Sequence, residues 1–147
     1  MNDREFVAAF EACTIANTDF HHADHVRLAW ICLREDQLIE AIGRFTAALQ
    51  RFAAHHGVPD LYHETITWAY MLLIYERMQR DGAPADWESF RAAHGDLFDR
   101  KPSILERYYS RETLRSDIAR RISVLPDAGA SSRAAENVEF SHGEKQP

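Results

Sequence analysis

The chain has 147 residues, 46% hydrophobic and 27% charged, with 8 Phe, 5 Tyr and 3 Trp; this fills the core of one domain and excludes a chain disordered throughout. Its net charge of −6 divides into −8 over residues 1–99, +4 over 100–121 and −2 over 122–147, and an acidic body with one short basic stretch argues against nucleic-acid binding. No apolar run reaches the roughly 18 residues of a membrane span, Met-Asn-Asp-Arg-Glu lacks the basic-then-apolar order of a secretory signal, and Cys13 and Cys32 form neither a CxxC pair nor a disulfide framework, so a cytoplasmic protein is expected.

In chain order the elements read as helices. Phe6, Val7, Ala9 and Phe10 give residues 2–12 a short apolar face. Thr14 to Asp19 is a connection, and Thr18 or Asp19 is placed to cap a second helix over about 20–34, with Val26, Ala29, Trp30 and Leu33 on its apolar side. Asp36 is placed to cap a third helix, about 37–55, with Leu38, Ile42, Phe45, Leu49 and Phe52 facing inward. No Gly or Pro separates these two helices. An unbroken helix from His22 to His55 would nevertheless run roughly 50 Å at 1.5 Å per residue, longer than a domain of this size is wide, so a reversal is predicted near 34–36.

His56-Gly57-Val58-Pro59-Asp60 is the clearest punctuation: Gly57 stops one helix, Pro59 blocks its continuation and Asp60 is placed to cap the next. That fourth helix runs to about Arg80 and ends at Asp81-Gly82-Ala83-Pro84. Shorter elements follow over 86–93, at Pro102–Glu106, where Ser103 and Glu106 have capping-box spacing, and over about 111–123. The predicted fold is all-α: a helical bundle of three or four long helices plus short C-terminal helices, one domain over residues 1–127. Residues 128–147 carry little apolar content and read as a disordered tail.

Eight histidines are a high count for this length. In Asp19-Phe20-His21-His22-Ala23-Asp24-His25, His22 and His25 lie at i and i+3 on one helix face, as His21 and His25 do at i and i+4. Such spacing lets two imidazoles converge on one ion, because metal–nitrogen bonds of about 2.0–2.1 Å need closely placed rings. His63 and Glu64 open the fourth helix. With reversals near 35 and 57, the second and fourth helices run parallel and start at the same end of the bundle.

A site of His22, His25 and His63 is therefore expected. Glu64 would be a fourth ligand or a general base, and the open position is the usual mark of a catalytic metal. Imidazole donors suit zinc, iron or copper alike. Asp19 and Asp60 precede His22 and His63 by three residues and either orient the rings or cap the helices, capping being the ordinary role. The HExxH signature is absent, as are the paired Glu-x-x-His motifs of di-iron bundles. The same spacing is also met by plain surface or core imidazoles.

Around this cluster, Tyr62 and Tyr70 are candidate hydrogen-bond donors to a substrate oxygen, Tyr62 with a share in proton handling. Trp30 is a candidate wall of an aromatic pocket, and Arg27 a candidate partner for an anionic substrate group. Aromatic residues at such spacing are more often ordinary core, and Arg27 reads alternatively as the partner of Asp24. Arg107, Arg111 and Arg115 recur every four residues but sit among Glu106 and Glu112, the pattern of a solvated, salt-bridged face. Cys32 reads as buried core.

Phe20-His21-His22-Ala23-Asp24-His25-Val26-Arg27-Leu28-Ala29-Trp30, Tyr62-His63-Glu64-Thr65-Ile66-Thr67, and Tyr108-Tyr109-Ser110 with Arg115-Ser116 and Ala119-Arg120 form three blocks. Together they resemble a family of small uncharacterised bacterial all-helical proteins, over about residues 20–127. That family carries no settled reaction, so the resemblance implies a fold and a site location: His22, His25 and His63 are its matching histidines, and His21 stands where other residue types are usual. The chain after Asp127 departs from the pattern.

The leading functional expectation is a metal-dependent enzyme acting on a small-molecule substrate. Hydrolysis or elimination would suit zinc, and oxidation would suit iron or copper. The alternative is a non-catalytic helical module that binds a small ligand or a metal, and a third reading is a structural protein whose helices serve a homo-oligomeric interface. No nucleic-acid or membrane partner is expected.

Overall fold

A computed structural model describes residues 1–82 and 86–128. Within them the fold is all-α, with no strand. Seven helices follow one another: α1 (Asp3–Glu11), α2 (His22–Glu35), α3 (Leu38–His55), α4 (Glu64–Asp81), α5 (Trp87–Ala93), α6 (Arg111–Arg115) and α7 (Asp117–Arg121). Short 3₁₀ turns occupy Asn17–Asp19, Pro59–Leu61, Gly95–Phe98 and Ile104–Arg107. The expected tail lies, from residue 129 onward, outside the described residues.

Helix α2 is the centre of the molecule. Six successive residues, Leu28 to Leu33, are all buried, which a helix shows only when neighbours cover every side. It packs on α3, on α4 and on the 95–98 turn. The rings of Phe10, Phe20 and Phe52 cluster at one side of the core, and those of Trp30, Trp87 and Phe90 at another.

The reversal after α2 falls at Asp36 and Gln37, both extended. Asp36 does not cap α3 as expected, because its carboxylate joins Glu35 and Glu11 around Arg44, at 3.3, 2.7 and 3.4 Å. One cation thereby ties α3 to the ends of α1 and α2. Thr18 and Asp19 do not cap α2 either. They lie in a 3₁₀ turn, and the Asp24 carboxylate caps from inside the helix by accepting the His21 N–H (2.9 Å). Asp60 likewise sits in the 59–61 turn, and the cap of α4 is His63, whose Nδ1 accepts the Ile66 N–H (3.2 Å).

Gly57 and Gly82 do end α3 and α4, at φ +73° and +72°. The predicted helix over 111–123 is two short ones. Ser116 is extended between them; its hydroxyl donates to Thr113 O (2.6 Å) and accepts from the Ala119 N–H (3.2 Å).

Residues 108–128 are stitched to the first turn of α4. Thr65, fully buried, donates to Ile122 O (2.7 Å) and accepts from the Val124 N–H (3.1 Å). His63 donates from Nε2 to Leu114 O (2.8 Å), and Arg120 donates to Asp60 O (2.7 Å). Tyr109 donates to Val124 O (2.9 Å), while Asp127 accepts from Ser110 N and Thr113 Oγ1. Two of the three sequence blocks are thus the two sides of one polar seam.

Candidate functional site

Helices α2, α3 and α4 line an open-sided cavity of about 530 Å³. His22, His25, Val26 and Ala29 reach it from α2, and Ile66, Thr67, Tyr70 and Ile74 from α4. Phe45, Leu49, Phe52 and Ala53 form the α3 wall, with Phe20, Tyr62, His63 and Arg100 at the edges. The two helix starts that bear the expected site do meet at one end of the fold.

Each of the three imidazoles expected in the site is tied to a carbonyl, which fixes its tautomer because a carbonyl oxygen accepts only from N–H. His22 donates from Nε2 to Leu97 O (2.9 Å). That carbonyl is presented by a turn held by Arg77, which grips Asp96 at both oxygens (2.9 Å each) and donates to His94 Nδ1 (3.0 Å). His94 Nε2 lies 2.6 Å from Asp81 Oδ2 but off the direction of a hydrogen bond. His25 donates from Nδ1 to His21 O (3.0 Å) and packs on Phe20 at 4.3 Å between ring centres.

His63 differs from both. Its Nε2–H goes to Leu114 O and its Nδ1 accepts from Ile66 N, so neither nitrogen is left for a ligand. Burial pushes all three histidines below their usual pKa, that of His25 to about 4, against the opposing pull of the carbonyl each donates to. They are neutral at pH 7.

The three-imidazole donor set expected from the sequence does not fit a metal in this arrangement, because His63 is spent on the seam and the α4 cap. Among the described residues no three His, Cys, Asp or Glu side chains are grouped as metal ligands are. His22 Nδ1 and His25 Nε2, in contrast, carry no hydrogen bond to any described residue.

The other expected site residues divide. Tyr70 lines the cavity, its ring edge on the His22 ring at 5.1 Å between centres. Tyr62 lines it too and donates its hydroxyl to Glu64 Oε1 (2.5 Å); burial, then that carboxylate, pushes the phenol's pKa up. Glu64 is therefore engaged beside the cavity rather than in it. Arg27 and Trp30 are not in the lining. Arg27 turns to α1, bonding Asp3 (2.7 Å) and Met1 O and covering the Phe6 ring. Trp30 is fully buried against Trp87 and Phe90, its indole N–H without a partner among the described residues. The buried Cys32 thiol is pushed up to about 12, which leaves it protonated and inert.

Sequence reasoning missed Arg100 and the α3 wall. Phe45, Leu49 and Phe52 carry a clear helical apolar period, but that period does not distinguish a cavity wall from packed core. Arg100 offers no signal beyond membership of the basic stretch. The chain matches no protein-family model, no curated protein and no solved structure, so its side chains alone speak for its chemistry. No helix among the described residues is long and apolar enough to cross a membrane.

Proposed function

We propose that this protein is a small-molecule-binding helical module that holds a predominantly apolar ligand between α2, α3 and α4. The observation that carries this reading is the cavity itself. At about 530 Å³ it falls within the range of small-ligand sites, roughly 300–1,000 Å³. It has the expected make-up of such a site, an aromatic and aliphatic wall with a few fixed polar groups. The neutral imidazoles of His22 and His25 supply orientation: each is clamped by a carbonyl at one nitrogen and offers the other as an acceptor.

The test is a ligand screen by thermal shift, repeated on Ala53→Trp. Ala53 is a half-buried residue of the α3 wall, so an indole there fills the space while adding little strain to the core. Hits that stabilise the parent and not the variant support the reading. Hits that stabilise both equally, or a screen without hits, overturn it.

A metal-dependent enzyme is the second reading, favoured by the two unengaged nitrogens, His22 Nδ1 and His25 Nε2. Zinc, iron or copper retained at about one equivalent and lost in His22→Ala would support it. Less than about 0.1 equivalent after reconstitution would defeat it.

A further inference from the structure

Three arginines that tie the helices together are already occupied: Arg27 with Asp3, Arg44 with three carboxylates and Arg77 with Asp96. Arg100 is not. It stands at the cavity edge on the loop after the 95–98 turn, and no ion pair or hydrogen bond joins its side chain to any described residue. The chain carries 23 acidic residues and a net charge of −6, yet no Asp or Glu lines the cavity. The nearest carboxylates in sequence are turned to other work: Asp24 accepts the His21 N–H and Glu64 the Tyr62 hydroxyl, while Asp99 is not in the lining.

We infer that the ligand is a small organic monoanion, a carboxylate on an apolar body, with Arg100 as its counter-charge; this rests on the reading that the cavity holds a ligand. The apolar body lies against Phe45, Leu49 and Phe52, and the charged end lies toward the starts of α2 and α4. Both helices are long, 14 and 18 residues, and turn their N-terminal ends to the cavity, adding favourable potential for negative charge. A carboxylate matches the single cation. A phosphate dianion would need a second, and the neighbouring imidazoles are held neutral. A guanidinium fork pairs with a carboxylate in two-point geometry.

The experiment compares matched pairs, phenylbutyrate with phenylbutyramide and decanoate with decanamide, by calorimetry on the full chain. Parent and Arg100→Gln are measured at about 0.02 M and about 0.5 M salt. The carboxylates are expected to bind about tenfold more tightly than their amides. Arg100→Gln removes that preference without weakening the amides, and high salt reduces it. Because Arg100 is exposed and holds nothing else in place, the variant folds as the parent does. Equal binding of acid and amide overturns the anion and leaves the cavity reading standing. A carboxylate preference that survives Arg100→Gln overturns the assignment of the counter-charge. Failure of all four compounds to bind overturns both.

Discussion

An imidazole with both nitrogens hydrogen-bonded has given up the lone pair a metal or substrate would use, and His63 is such a residue. Removing it leaves Leu114 O and Ile66 N–H unpaired in a buried seam and strips α4 of its cap. His63→Ala is therefore expected to lose about 3 kcal/mol in urea unfolding. A loss under about 1 kcal/mol would show that the seam is not what His63 is for. Thr65→Val is the companion change. It keeps the shape of a fully buried side chain and deletes two hydrogen bonds, to Ile122 and Val124, at an expected cost of about 2 kcal/mol. The His-Glu-Thr run was legible as chemistry-bearing residues at a helix start. Its partners were not, because a carbonyl 51 residues away leaves no trace in composition or period.

Among the elements, the long helices and the stops at Gly57 and Gly82 were readable from apolar period and from glycine placement. The expected caps, Thr18 or Asp19, Asp36 and Asp60, were all displaced by a residue or more. Arg44 claims Asp36, Asp24 serves the start of α2 in place of Thr18 or Asp19, and the His63 ring caps α4 in place of Asp60. Gly82 shows the reverse, a local need with no competitor. Among the described residues, nothing beyond its chain neighbours stands within 4 Å of a Cβ placed there, so the cost of Gly82→Ala is set by the left-handed backbone. Thermal unfolding should register about 1 kcal/mol, with ligand binding unchanged. No measurable cost would mean that α4 ends elsewhere in solution.

Across the whole molecule, three histidines with lowered pKa make stability depend on pH in a defined direction. In the unfolded chain they take up protons near pH 6.5, whereas in the fold burial resists protonation, for His25 down to about 4. Their contribution is complete above about pH 6.5. It is lost as the pH falls from there toward the folded values, each group adding up to about 1.4 kcal/mol per pH unit. The urea midpoint is expected to drop between pH 7 and pH 5, and to drop less in His25→Gln. A midpoint level across that window would place these rings in water. The carboxyl of Asp96, held below its usual range chiefly by Arg77, adds a further loss at still lower pH.

The seam between the first turn of α4 and residues 114–124 has a consequence for biosynthesis. Domains form from the N-terminus as the polypeptide emerges, but the carbonyls that saturate His63 and Thr65 belong to residues translated some 50 to 60 positions later. Until they arrive, these hydrogen-bonding groups, that of His63 at the cavity edge, face solvent, and a nascent chain halted before Leu114 has its three longest helices but not the stretch of chain that closes this end of α4.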